Sequence, residues 1–365
     1  MKLVLVNLVG SGVQDAVNKF SQHDINQVRD LAVNNKIIFY CLNERWNTEY
    51  INNSLKVFFD NFDNENLLLI CDRLTTKEEI DRLIIKKVVQ TDSQLLKTAQ
   101  WETYTTFNKT INLETGKFLF LMGKPYKPNR LPLLYKISKK GLIDKCDYSF
   151  YYAQNYSDRT REVMNFLSAE EYDNFVKSTV NVLDNIIPGI DYDFFDYCGF
   201  PVDQNLYKNT SFSVVSESAH DLDNCHFISE KTWRTIANRH MFITVLPRQS
   251  IEFLHSLGLK TFDYCLKYTK NDMTDNIDDL LDKVVENIEY ALSNIEKYKL
   301  LIRFDIEHNY YVYKKLVDAQ RNKVRYNIEK YLNIYPHIDD NNSHLKIFDI
   351  DKKLQNSIDR IYKED

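Results

Sequence analysis

KLVLVNLVGSGVQDAVNKFSQHDINQVRDLAVNNKIIFYCLN (residues 2–43) is the stretch whose reading decides the fold. Two continuous apolar runs, KLVLVNLV (2–9) and KIIFYCLN (36–43), enclose a polar segment that a helix accommodates. A third run, NLLLICD (66–72), follows a second such segment. Short apolar runs without polar alternation are strands covered on both faces, and their alternation with helices is the pattern of a parallel sheet. Residues 1–112 are therefore predicted to form one Rossmann-like α/β domain.

The pattern then restarts. KFLFLMG (117–123) is predicted as a strand, and NRLPLLYKISKK as a helix stopped by Gly141, since glycine readily takes the left-handed conformation that ends helices. DYSFYYAQ (147–154), SFSVVSES and HMFITVL give further strands, and a long aromatic, acidic segment occupies about 155–210. Residues 113–300 form the second Rossmann-like domain in this reading. From Asn276 the apolar spacing is helical, with Leu280, Leu281, Val284, Val285 and Ile288 on one face. Helix is expected to about Leu332, then a weakly patterned polar tail, so that 301–365 hold C-terminal helices and a tail. The architecture is α/β, two domains facing a cleft.

A chain of 365 residues with 44% hydrophobic residues has enough length and apolar content for substantial cores. Asn, Lys, Ile and Tyr are plentiful and Gly scarce, a bias shared with AT-rich viral and phage genomes. The net charge of −5 lacks the basic surplus expected of a duplex-binding protein. Six scattered cysteines without CxxC spacing read as free thiols of a reducing compartment. The N-terminal run is too short for a signal sequence, and no run reaches membrane-spanning length. A cytoplasmic protein without a membrane span is expected.

Chemistry enters at two helix starts. In HFISEKTWRTIA, Ser229 is a good N-cap and Glu230 suits the positive end of the helix dipole, but Lys231 does not. The helix after the 117–123 strand opens with Lys124, Lys127 and Arg130. Cations gathered at the amino ends of two helices point to an anion between them, with a diphosphate as natural occupant. The competing reading pairs Lys231 with Asp221 or Asp223 and leaves Arg130 solvated.

The run SVVSES…HFISEKTWRTIA resembles the signature of the α-1,3-fucosyltransferases, glycosyltransferase family 10. Glu217 stands in place of the glutamate of a Phe-Glu-Asn triplet, and Ser229, Glu230 and Lys231 stand for Thr-Glu-Lys. MGKPYKPNRLPLLYKISKKGLID resembles the family's segment in which an arginine, here Arg130, opens a helix. The same segment and SLGLKTFDY (256–264) look like runs in viral and phage glycosyltransferases. The resemblance spans about residues 117–265. It implies a GT-B fold and a metal-independent, inverting transfer from a nucleotide-diphosphate sugar, with no further cofactor. Lys231 and Arg130 would hold the diphosphate, and Glu230 the ribose or sugar. Phe227 replaces a usual tyrosine and Ser218 a usual asparagine, so the family's GDP-fucose is not carried over as donor.

Such a transfer needs a general base, and Asp15 and then Glu44 are the carboxylates expected to serve from the first domain. GSGVQD (10–15) mimics only the start of a dinucleotide-binding turn. Asp191 and Asp193 in DYD, and His220, Asp221, Asp223 and His226, have metal-ligand chemistry, yet such residues also collect in loops by chance. The expected partners are a nucleotide sugar and a glycan acceptor. Hydroxymethylated viral DNA is the alternative acceptor, and a non-catalytic nucleotide-binding module the alternative class.

Overall fold

The computed structural model describes residues 2–8, 22–32, 36–41, 48–59, 66–72, 80–85, 87–92, 95–96, 98–99, 102, 107–122, 125–149, 157–183, 204–217, 228–246, 248–274, 276–332 and 345–349. The chain divides into two compact units: Met1–Leu96 with Val317–Asp365, and Lys97–Leu316.

The first unit holds β1 (Lys2–Asn7), α1 (Gln22–Ala32), β2 (Lys36–Cys41), α2 (Thr48–Lys56), β3 (Leu67–Asp72) and β4 (Val88–Thr91). These four strands are parallel and stand in the order β4-β3-β2-β1. Register pairs Ile37 with Leu67 and Phe39 with Leu69, so alternate residues of neighbouring strands share a face. That face packs on Val28 of α1 and on Ile51 and Leu55 of α2, with Phe58 closing the cluster. The rings of Phe39 and Phe58 lie 5.4 Å apart. Ile38, Leu68 and Ile70, on the other face, are also buried. This double burial is why the strands read as unbroken apolar runs.

β9 (Leu345–Asp349) completes the sheet, antiparallel on the free edge of β1. Two expectations are corrected here. The tail beyond residue 333 contains a strand, and its pairing with β1 places Val317–Asp365 in the first unit instead of a separate C-terminal segment. The first division falls at residue 96, not 112.

The second unit has a four-stranded parallel sheet in the order β6-β5-β7-β8. β5 is Phe118–Leu121, β6 Cys146–Ser149, β7 Phe212–Ser216 and β8 Met241–Val245. Every residue of β7 and β8 is buried. Phe118 and Phe212 stack across the β5–β7 pair at 5.5 Å and 11°. β6 covers the first part of the expected strand to Ser149, and residues 150–154 lie outside the described ones. Between the strands run α3 (Leu131–Lys139), α4 (Ser157–Val163), α5 (Ala169–Leu183), α6 (Gln204–Lys208) and α7 (Glu230–Ala237). α8 (Arg248–Ser256), α9 (Ile277–Asn294) and α10 (Lys299–Leu332) follow, and the division between the units falls within α10.

Gly141 ends α3 as its sequence predicts. It takes φ 72°, and the bonds Gly141 N to Ser138 O (2.9 Å) and Leu142 N to Ile137 O (3.1 Å) close the last turn. α9 runs as the spacing requires, with Leu280, Leu281, Val284, Val285 and Ile288 buried. Cys146 and Cys265 are free thiols and buried, and Cys71 is buried as well. No described helix is long and apolar enough to cross a membrane.

Candidate functional site

The strand order of the second unit contains one reversal. From β5 the chain passes through α3 to β6 on one side, and later re-enters on the other side as β7, then α7 and β8. Right-handed crossovers in opposite directions send α3 and α7 to opposite faces. Between β5 and β7 this leaves a crevice outside the carboxyl ends of the strands, where open α/β sheets bind ligands. The two segments leaving those ends are the ones that carry the cations singled out above.

The segment after β5 turns at Lys127–Arg130, where Arg130 N donates to Lys127 O at 3.0 Å. Arg130 is the N-cap residue of α3, and its carbonyl accepts the first helical bond from Leu134 N at 3.0 Å. Pro132 sits in the first turn, where its missing N–H costs nothing. Asn129 ties this turn to β7: its Nδ2 donates to Glu217 O at 2.8 Å, and Ser216 Oγ donates to Asn129 O at 3.2 Å. These bonds bring Arg130 and Glu217 to one place although they lie far apart in sequence.

α7 opens as its sequence predicts. Ser229 Oγ accepts from Lys231 N at 3.2 Å, and Glu230 is the first helical residue. Trp233 and Ile236 face inward and are buried, which fixes the helix on the sheet. Lys231 turns back within the same turn, its Nζ donating to Glu230 Oε1 at 2.7 Å. It therefore meets a carboxylate next to it in sequence. Asp221 and Asp223, the partners of the competing reading, lie outside the described residues. Thr232 Oγ1 donates to Glu217 Oε1 at 2.6 Å, which links α7 to the end of β7.

The electrostatics follow from this packing. Arg130 is 2% exposed. Burial lowers its pKa, while the charges of Glu217, Glu230 and Tyr126 oppose that shift. A guanidinium remains charged under such a balance. Burial pushes the Glu230 carboxyl up, but Lys231 and Arg234 outweigh it and hold it at about 2. Glu217 is fully buried, and its Oε2, like Oδ1 of Asn129, has no hydrogen-bond partner among the described residues. Arg130, Lys231 and Arg234 thus stand with Glu217 and Glu230 beside two buried acceptors, Glu217 Oε2 and Asn129 Oδ1, that have no donor among the described residues. An anion that also carries hydroxyl donors matches both features.

Of the residues expected from sequence, Arg130, Glu217, Ser229, Glu230 and Lys231 come together. Asp15, Glu44, Lys124, Ser218 and Phe227 lie outside the described residues, as do Asp191, Asp193, His220 and His226. Lys127 sits half-buried in the turn before α3. Sequence reasoning missed three members. Arg234 carried a signal, four positions after Glu230 on one helix face. Asn129 and Thr232 carried none, because their partner Glu217 belongs to another segment.

No family model matches the chain, and no curated protein does. Among solved structures the chain is similar to the UDP-forming α,α-trehalose-phosphate synthase from Burkholderia xenovorans. The identity is 9% and the TM-score 0.34, over 86% of this chain and 77% of that one. A likeness at this level leaves the functional reading to the chain's own residues.

Proposed function

We propose that the chain is a glycosyltransferase of GT-B type that uses a nucleotide-diphosphate sugar. The observation that carries this reading is the buried guanidinium of Arg130, set with Glu230 and Lys231 at the reversal point of a parallel sheet. Burying an arginine is costly unless a negative group meets it. Glu217 and Glu230 favour the charged guanidinium, and the helix starts of α3 and α7 add a positive potential that a diphosphate would meet. The fucosyltransferase-like pattern around Ser229-Glu230-Lys231 supports the same assignment.

In this reading the helix starts of α3 and α7, with Arg130 and Lys231, stabilise the diphosphate as it leaves. The acceptor hydroxyl oxygen forms a bond to the anomeric carbon while the bond from that carbon to the diphosphate oxygen breaks. The hydroxyl proton passes to a carboxylate base, Asp15 or Glu44, and the nucleoside diphosphate departs with the electron pair. Inversion follows from displacement on the opposite face. Glu217 and Asn129 accept from hydroxyls of the ribose or sugar. The side-chain cations supply charge that a metal would otherwise bring, so transfer is expected to persist in a chelator. The net charge of −5 favours a glycan acceptor over modified DNA.

A thermal-shift screen against nucleoside diphosphates and their sugars tests the site. At least one nucleoside diphosphate should raise the melting temperature. Lys231→Ala and the conservative Arg130→Lys should weaken that ligand's binding by about tenfold or more, as expected for a lost charge-assisted hydrogen bond. A folded protein that responds to no nucleoside diphosphate would overturn the assignment.

A further inference from the structure

Glu230 stands where an incoming anion has to go. Its carboxylate accepts from Lys231 Nζ at 2.7 Å, and the same Nζ reaches Ser229 Oγ at 3.4 Å. The ammonium therefore lies folded against the amino end of α7. Glu230 also acts through space on Arg130 and Arg234, so one carboxylate has Arg130, Lys231 and Arg234 as neighbours. Lys231 holds its pKa at about 2, which keeps it ionised at any ordinary pH. The side chains of Lys231 and Glu230 are only 20% and 24% exposed, so solvent and salt screen this pair incompletely.

A carboxylate and a phosphate take charge-assisted hydrogen bonds from the same donors, so the two compete for one place. Lys231 turns to a phosphate only by leaving Glu230, and the phosphate then lies beside a carboxylate of like charge. In a partly buried site that repulsion is worth about tenfold or more in affinity. Glu217 acts in the same direction. Thr232, in the first turn of α7, donates to its Oε1 at 2.6 Å, which sets the fully buried carboxylate against this helix start. Its Oε2 has no donor among the described residues, and neither has Asn129 Oδ1. Ionised pyrophosphate offers acceptors where these atoms require donors. Such repulsive elements set which of two related ligands a site accepts.

We infer that Glu230 is the specificity-determining residue of the anion site. Its carboxylate occupies the cations when no ligand is bound and excludes inorganic phosphate and pyrophosphate. An anion displaces it only when the rest of the ligand, with its hydroxyl donors, binds as well. The inference rests on reading the site as one for a nucleoside diphosphate, and the two are separable by experiment.

Titration calorimetry of the full chain with inorganic pyrophosphate tests it, circular dichroism confirming that each variant is folded. Glu230→Gln should bind pyrophosphate about tenfold or more tightly than the parent chain, and Glu230→Ala should show the same gain. Glu230→Asp keeps the charge and should stay within about threefold of the parent. Adding Arg130→Lys to Glu230→Gln should cancel most of the gain, which locates the bound anion. A residue that only props Lys231 in place would give the opposite sign, with weaker binding in Glu230→Gln and Glu230→Ala. That result overturns the inference, as does an equal gain in Glu230→Asp or a gain that survives Arg130→Lys. A parent chain that binds a nucleoside diphosphate while Glu230→Gln gains nothing for pyrophosphate defeats the inference alone. A gain for pyrophosphate in a chain that binds no nucleoside diphosphate defeats the proposed function and leaves the role of Glu230 standing.

Discussion

Lys231 resolves the electrostatic oddity of its position by folding back on Glu230, and the pair has a measurable acid limit. The Glu230 carboxyl is held at about 2 against an ordinary 4.5, so its contribution is present above pH 4.5 and lost as pH falls through 2. Glu230→Gln should flatten the acid limb of a stability-against-pH curve in that window, measured by urea midpoints. His240 sets a different limit. Its Nδ1 accepts from Ser213 Oγ at 2.8 Å and its Nε2 donates to Thr210 O at 2.8 Å. Burial pulls its pKa from 6.5 to about 4. Folding therefore favours the neutral ring, and the stability is full above pH 6.5 and lost as pH falls toward 4. The loss by pH 4 is on the order of 3 kcal/mol. His240→Gln should remove most of the slope between pH 6.5 and 5, where carboxylates barely titrate. An unaltered slope would show that another group carries it.

At the scale of elements, the ends of α3 and α7 are the most exacting features. Gly141 has open space around a hypothetical Cβ but a φ of 72°, so Gly141→Ala meets only backbone strain. It should cost about 1 kcal/mol in chemical denaturation. Ser229→Ala removes the cap of α7 and should cost about 1 kcal/mol, while also loosening the first turn that carries Lys231. Both features were legible in the sequence because they depend on one residue and its immediate neighbours. The buried strands were legible for a related reason: burial on both faces leaves an apolar run no helix surface imitates. β9 was not. LKIFD is a short edge strand with charged residues at its second and last positions, and what makes it a strand is its pairing with β1, a partner the local pattern does not reveal. Thr232 and Asn129 escaped notice on the same principle, since their chemistry lies in bonds to Glu217 across long intervals.

At the scale of the whole molecule, each unit closes around its own sheet, and the second contains the complete cationic cluster. Phe39→Ala, in the core of the first unit, should therefore lower stability by about 3–5 kcal/mol. In hydrogen exchange the loss of protection should concentrate in Met1–Leu96 and leave β5, β7 and β8 largely protected. Uniform loss across both sheets would mean that the units melt together.

The partnership of β1 with β9 also orders events in time. β1 leaves the ribosome before the other described strands of its sheet, and its antiparallel neighbour after all of them. Throughout synthesis one edge of the nascent sheet stays open to foreign strands, whereas the second unit can collapse from a contiguous stretch already in hand. Chaperone engagement during translation should accordingly centre on the amino-terminal strands and end when residues 345–349 emerge.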